Sequence, residues 1–431
     1  MDCIAVVICN FNGGQYTVDC INSVQKSTYV DLDIIVVDNA STDNSIELLT
    51  NEFGDRITIL SNNKNLGGAG GFGRGLRYAT EKNYEYIMML DNDAFVDEHA
   101  IEILMNTIKE DESIGIVGAK ILCLNDRNII MDFAKKMDWD SFIDYSEWVG
   151  QEDSESNNIS VDCDFVAATT AIVRRDALVK SGGMDEEHFI YYDDIELNHR
   201  IRMAGYRVVA CGKAKAWHKS SMATNKTNTF ARYYLTRNRY RFFAKYLLEE
   251  KLEKFADYVI EQSFPYLYGS NHNGREDMFL TTKYIMEDFM NDVRGVAGPG
   301  RVQTIINVWE KNLSDLIGNK KKIALYLLES ARQTTYQKIT DYLDNKKDEI
   351  EYELVESIDA DSTHDLVLVL CDHVKEQHEN ILPAVYVDAY GNVVKDWQSY
   401  IYFQNYDNVL ELFRHYYKDS ILKAIADIRN K

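Results

Sequence analysis

Asp91-Asn92-Asp93 interrupts an apolar run, with Ile87, Met88, Met89 and Leu90 before it and Ala94, Phe95 and Val96 after it. Two carboxylates one residue apart at the end of a buried strand repel each other and lose solvation. The arrangement is costly unless something positive lies between them. A hard divalent cation takes oxygen ligands, and Mg²⁺ binds through one or two carboxylates together with substrate phosphates. If the strand continues, Asp91 and Asp93 point the same way. If the chain turns, one carboxylate binds the metal and the other holds a ribose or a water. A solvated acidic turn is the plain alternative. A second acidic group, Asp193-Asp194-Ile195-Glu196, follows Phe189-Ile190-Tyr191-Tyr192 and opens a helical pattern. Simple capping at a helix N-terminus is one reading of it, and a general base held at a sheet edge is the other. His218 follows Ala216-Trp217. By itself it reads as structural, and its interest depends on a metal at Asp91 and Asp93.

Several familiar sites fail on spacing. Gly68-Ala69-Gly70-Gly71-Phe72-Gly73 satisfies GxGxxG, with Asp91 at a suitable distance. The dinucleotide fingerprint, however, closely follows its strand, and here residues 61–66 intervene. There is no GxxxxGK[ST], GxSxG or HExxH. An EF-hand loop requires a ligand where Phe95 stands.

The elements that carry these residues alternate. "CIAVVICNFN", "LDIIVVDNAS", "RITILSN" and "YEYIMMLDND" read as buried strands, separated by helical stretches. Ser41 or Thr42 is expected to cap the second helix. A helix is expected after the glycine-rich loop. Strands alternating with helices predict a parallel α/β sheet, in which ligands sit beyond the carboxyl ends of the strands. Asn10-Phe11-Asn12, Asp38-Asn39 and Asp91-Asn92-Asp93 all fall at such ends. "GIVGAKIL" and "CDFVAATTAIVRRDAL" predict further strands. The pattern from about residue 230 to 290 is helical and rich in aromatics. Residues 295–300, with three glycines and a proline, mark a joint. After residue 319, four apolar runs and two helical patterns predict a second, smaller α/β unit.

The whole chain has 431 residues, with 45% hydrophobic and 27% charged residues. It is long enough for two or three domains. A net charge of −22 argues against general nucleic-acid binding, which needs a basic footprint. The seven cysteines form no CxxC and read as reduced, buried thiols. The N-terminal "MDCIAVVICNFNGG" reads as a first strand rather than a signal peptide, and no run reaches the about 18 apolar residues of a membrane span. A cytoplasmic location, with contact at the inner membrane surface left open, is the expectation.

Taken in order, "VVICNFNGG", "IIVVDNASTDNS", "NLGGAGGFGRG", "MLDNDAFV", "FIYYDDIELNHRIRMAGYRV", "AWH" and "YYLTRNRYRFF" resemble family-two inverting glycosyltransferases of the GT-A fold, the Rossmann-like nucleotide-diphospho-sugar transferase fold. The nearest likeness is to bacterial rhamnosyl- and galactofuranosyltransferases, and it covers about residues 3–245. The resemblance implies donor-nucleotide binding by Asn10, Asn12, Asp38 and Asn39, with Ser41 adjacent, and by Asn65, Gly67 and Gly68 in the "NLGG" loop. It implies diphosphate binding through a divalent cation, Mn²⁺ or Mg²⁺, held by Asp91, Asp93 and His218. The base would be Asp194, with Asp193 beside it; many relatives have Glu-Asp where this chain has Asp-Asp. Single displacement with inversion needs one carboxylate base and no protein nucleophile.

The implied architecture is a GT-A catalytic domain over residues 1–245, a helical segment over 246–319 and a small α/β domain of unknown role over 320–431. The implied activity moves rhamnose, galactofuranose or another hexose from a UDP- or dTDP-linked donor to a hydroxyl of a glycan or lipid-linked acceptor, with self-association left open. A sugar-1-phosphate nucleotidyltransferase is disfavoured, because "NFNGGQYT" lacks the Arg and Lys of its phosphate loop. A non-catalytic glycan-assembly protein is disfavoured by the intact acidic set. Arg232, Arg237, Arg239, Arg241 and Lys245 precede any acid in their stretch. They are read either as partners of a diphosphate, a lipid carrier's phosphate or a membrane surface, or as arginines packed over acidic neighbours.

Overall fold

A computed structural model describes residues 3–219, 227–305, 308–329, 331, 333–358, 363–374, 384–388 and 391–431. The chain forms two compact units. The first comprises residues 1–225, 234–247 and 293–298; the second comprises 226–233, 248–292 and 299–431.

The first unit is built on a ten-stranded mixed sheet. Its opening strands are β1 (Ile4–Asn10), β2 (Leu32–Asp38), β3 (Ile57–Ser61) and β4 (Tyr86–Asp91), connected by helices α1 (Gly14–Gln25), α2 (Ser45–Phe53) and α3 (Gly67–Glu81). β1, β2 and β4 are apolar runs buried on both faces, the pattern of a parallel sheet covered by helices. The four strands pair in parallel in the order β4-β1-β2-β3. The register places Asn10 beside Asp38 and Cys9 beside Asp91. The polar ends of three strands therefore lie level along one edge of the sheet.

Beyond β4 the chain turns at Asn92-Asp93 into β5 (Ala94–Val96), followed by α4 (Ala100–Glu110) and β6 (Ile114–Cys123). Three short strands come next, β7 (Ile130–Asp132), β8 (Lys136–Asp138) and β9 (Ile143–Tyr145), and then β10 (Ser160–Asp162). β11 (Thr170–Arg174) runs antiparallel between β4 and β6. Helices α5 (Arg175–Lys180) and α6 (Asp193–Met203) lead to the long strand β12 (Arg207–His218). β12 pairs in parallel with β6, while its last residues pair antiparallel with β5, His218 opposite Ala94. This hook brings the end of β12 to the turn after β4. Helix α7 (Phe230–Tyr246) contributes its residues from Tyr234 onward to this unit.

Three expectations are corrected. The glycine run is not a loop before a helix; it is the N-terminal half of α3 itself. A Cβ on Gly71 would stand 2.1 Å from the Cys9 sulfur, and one on Gly75 would stand 2.2 Å from Val7 Cγ1. The glycines thus let α3 lie directly against β1. Second, α2 begins at Ser45 with Asn44 preceding it, so neither Ser41 nor Thr42 caps it. Ser41 instead bonds to Asp38. Third, of "CDFVAATTAIVRRDAL" only residues 170–174 form a strand, and Arg175 starts a helix.

The second unit contains helices α8 (Leu252–His272), α9 (Glu276–Met290) and α10 (Val308–Ile317), and a five-stranded sheet of β13 (Lys322–Leu327), β14 (Glu351–Leu354), β15 (Leu366–Cys371), β16 (Val385–Asp388) and β17 (Val393–Val394). Helices α11 (Gln333–Asp344), α12 (Trp397–Gln404) and α13 (Tyr406–Arg429) complete it. The strand order is β14-β13-β15-β16-β17, parallel except for the last pair. This is the small α/β arrangement expected from its four apolar runs. Among the described residues, no helix is long and apolar enough to cross a membrane. Among the described residues, no cysteine forms a disulfide.

The contact between α3 and β1 makes a testable demand. Gly71→Val is expected to destabilise the chain by about 1–3 kcal/mol through overpacking against Cys9. Gly68→Ala has nothing within 4 Å of the new carbon, and is expected to stabilise by up to about 1 kcal/mol through helix propensity. Urea unfolding midpoints measure both.

Candidate active site

At the shared strand edge, Asn10 donates from Nδ2 to Asp38 Oδ1 (2.8 Å) and to Ser41 Oγ (3.1 Å), and its Oδ1 accepts from Thr17 Oγ1 (2.8 Å). Asn92 Nδ2 donates to the same Asn10 oxygen at 3.2 Å. Asn12, in the left-handed region at φ 51°, accepts from the Thr42 backbone at 2.7 Å. Asn39 is buried, donating to the Gly67 carbonyl (2.7 Å) and accepting from Asn62 (2.7 Å). Asn65 Oδ1 accepts from Gly67 N at 2.8 Å. Asn10, Asp38 and Asn39 are thus committed to internal bonds. Gly68 has open space around it.

The metal candidates converge. One ligand atom from each of Asp91, Asp93 and His218 lies within 4.8 Å of the others. His218 Nε2 is 2.9 Å from Asp93 Oδ1 and 3.8 Å from Asp91 Oδ2. Burial opposes charge on His218, yet the hydrogen bond to Asp93 and the charges of Asp91 and Asp93 raise its pKa. The group favours a positive charge where the three side chains meet, and two carboxylates with an imidazole are ligands that first-row divalent cations accept. The residues therefore fit a divalent cation. Burial raises the pKa of Asp91, against the pull of His218, and Thr169 Oγ1 donates to its Oδ2 at 2.8 Å.

The acid pair opens α6. Asp193 is buried, and burial and the nearby charge of Asp91 raise its pKa. Asp194 is partly exposed and accepts from the backbone of Ala168 (3.3 Å) and Ile195 (2.8 Å). Burial, then the charge of Asp193, push its pKa up to about 7. Lys135 faces it as an opposing charge and is itself held by Asp132 at 2.9 Å. The segment leading into the pair is strained. Phe189, Tyr191 and Tyr192 have φ of 69°, 64° and 66°, each costing about 1–3 kcal/mol for a residue with a bulky side chain. Gly67, at φ +71°, approaches so closely that a Cβ there would lie 1.9 Å from the Phe189 carbonyl oxygen.

Thr169, Lys135, Asp132 and Thr17 were not singled out by sequence reasoning. They sit in loops, at a strand end or, for Thr17, on α1, with no motif of their own, so only the fold brings them to the site. The basic stretch resolves against its ligand-binding readings at two positions. Arg237 and Arg241 are 2% and 7% exposed. Arg241 faces Asp185 and Glu196, and Lys245 Nζ lies 2.6 Å from Glu196 Oε1. A charged group buried this way requires nearby partners, and the acidic neighbours of α6 supply them.

Residues 5–182 match the family model for glycosyl transferase family 2. That match lies wholly within the first unit and spans β1 to α5 of its mixed sheet. The chain is 33% identical over 117 residues to glycosyltransferase GlyG of Streptococcus pneumoniae serotype 4, covering 27% of this chain and 38% of that protein. It is 23% identical over 216 residues to the O-antigen chain rhamnosyltransferase WbaN of Salmonella anatum, covering 50% of this chain and 64% of that one. The chain thus spans less than two thirds of the length of either relative. A crystal structure of GalNAc-T7 with UDP, GalNAc and Mn²⁺ has a TM-score of 0.49 at 18% identity, covering 67% of this chain and 57% of that one.

If Asp91, Asp93 and His218 hold a cation, His218→Ala is expected to weaken Mn²⁺ binding by at least about tenfold. Titration calorimetry with MnCl₂ alone measures this, and equal affinity in the variant counts against coordination there.

Proposed function

We propose that the chain is a metal-dependent inverting glycosyltransferase, moving a hexose from a UDP- or dTDP-linked donor to a hydroxyl of a glycan or lipid-linked acceptor. The observation that carries this reading is the convergence of Asp91, Asp93 and His218 beside the raised pair Asp193-Asp194, within a family-two domain. The relative named as a rhamnosyltransferase supports rhamnose among the donor sugars. Catalysis would reside within residues 1–245.

In this reading Asn10, Asn12, Asp38 and Asn39 shape the pocket for the nucleoside, and Asn65, Gly67 and Gly68 border the donor. Asp91, Asp93 and His218 would hold the cation, which when bound supplies positive charge for the diphosphate leaving group. Thr169 keeps Asp91 oriented. Asp194 accepts the proton of the acceptor hydroxyl while the hydroxyl oxygen bonds to the anomeric carbon and the bond to the diphosphate breaks. A positioned base of this kind contributes about 10²–10⁴-fold. A pKa near 7 suits the task, because the carboxylate is basic enough to take a proton yet ionised in a useful fraction at neutral pH. Asp193 raises that basicity by its charge, and Lys135 moderates it.

The base must be ionised to act. Turnover is therefore expected to climb with pH up to about 7 and then level off, the plateau being reached above the pKa of Asp194. A pH–rate profile flat from 5 to 8 would argue for another base. Asp194→Asn is expected to keep donor binding and lose about 10²–10⁴-fold in turnover. Calorimetry with the nucleotide and a product assay separate the two effects, and full activity in the variant removes Asp194 from the role. Release of a nucleoside diphosphate, rather than pyrophosphate, separates glycosyl transfer from nucleotidyl transfer in the same assay.

A further inference from the structure

The segment His188–Tyr192 delivers the acid pair, and every one of its carbonyls is taken. Asn238 Nδ2, on α7, lies 3.1 Å from the His188 carbonyl oxygen, 2.9 Å from that of Ile190 and 2.9 Å from that of Tyr191. The Phe189 carbonyl accepts from Ala69 N at 3.1 Å, and the Tyr192 carbonyl accepts from Glu196 N at 2.9 Å. Asn238 is itself held, because Arg237 Nε donates to its Oδ1 at 3.1 Å. Arg237 Nη2 reaches the Gly295 carbonyl at 3.0 Å and the His188 carbonyl at 3.4 Å. Both side chains are 2% exposed.

One amide group thus meets three carbonyls of a loop that holds three non-glycine residues at positive φ. Left-handed backbone of this kind persists only where its surroundings over-determine it. On the other side, α3 presses on the same loop. Gly67 meets Phe189, and Arg77 pairs with Glu186 at 2.5 Å. Asp185, His188 and Glu196 also gather within 4.8 Å. Lys245 and Arg241 already supply positive charge to Glu196 there, which marks that cluster as part of the brace rather than a metal centre.

We propose that Asn238 is a positioning residue. Its amide locks the loop 188–192 in its strained form and so sets where the Asp193-Asp194 pair stands relative to Asp91, Asp93 and His218. The role rests on the glycosyltransferase reading for its consequence in turnover, but not for its structural content. A carboxylate at this position has no N–H to give and would face three carbonyl oxygens, whereas the amide shares two N–H groups among them and Arg237 Nη2 also reaches the His188 oxygen. Small displacements of a base cost turnover steeply, while the elements assigned to donor binding, β1, β2 and the 65–68 loop, lie outside α7.

The test compares the full-length chain with Asn238→Ala. Amide hydrogen exchange over residues 189–196 is expected to speed up at least about tenfold, with strand β1 unchanged. Turnover of a UDP- or dTDP-sugar with Mn²⁺ is expected to fall about 10- to 100-fold, with donor KM within about twofold. Asn238→Ser, which keeps one donor, should fall between wild type and Asn238→Ala on both measures, and it carries the comparison if the alanine variant does not fold. Unchanged exchange over 189–196 overturns the proposal, as does a turnover loss matched by lost donor affinity. A wild-type chain that turns over no nucleotide-sugar overturns the glycosyltransferase reading instead, and the exchange comparison still decides the role of Asn238.

Discussion

Mutual repulsion among carboxylates is the constraint on which the first unit depends. Asp91, Asp93, Asp193 and Asp194 meet at one edge of the sheet, and the charge of Asp91 reaches Asp193. Burial raises Asp91, Asp193 and Asp194, so each ionised form is held against a desolvation cost. His218 and Lys135 face this cluster as opposing positive groups. A flexible chain would relax such an arrangement by moving the acids apart. Here Asp91 is fixed by the register of β4 against β1 and β11, and Asp93 by the pairing of β5 with β12. The sheet is rigid enough to keep negative charge concentrated, and concentrated negative charge is what a divalent cation and a basic carboxylate both require.

The surrounding polar residues serve this rigidity before they serve any ligand. Asn10, Thr17, Asp38, Ser41 and Asn92 form a closed set of hydrogen bonds across strand ends that are distant in the chain. A buried polar network of this kind specifies one arrangement because each member left unpaired would be costly. The glycines of α3 act in the same sense. They remove the side chains that would hold the helix away from Cys9, Val7 and Phe189. The acid loop is gripped between α3 and α7, and these contacts hold its unusual backbone.

Much of this was legible in the sequence. Of the four opening strands, β1, β2 and β4 are continuous apolar runs that end in Asn or Asp, and that pattern, with helical stretches between the strands, predicts a parallel sheet with polar ends on one edge. The start of α6 at the acid pair was likewise readable from apolar residues followed by acids and then a helical period. The stretch between β6 and β11 was not readable. Its strands β7 to β10 are three residues each, too short to show a period of two. The glycine run misled because a helix rich in glycine is unfavourable locally, and only its packing against β1 makes it worthwhile.

The sequence by itself determined which residue types stand at the strand ends, and therefore that acids, amides and a histidine are available for metal and base chemistry. That information is local, because strand and helix periods are local properties of the chain. Only the tertiary structure decided that β5 hooks onto β12 to bring His218 to Asp93. It also decided that Thr169 and Lys135 join the site, and that Arg237 and Asn238 bind the acid loop instead of an outside ligand. Those outcomes depend on contacts between residues far apart in sequence, whose partners no spacing rule specifies until the sheet has closed around them.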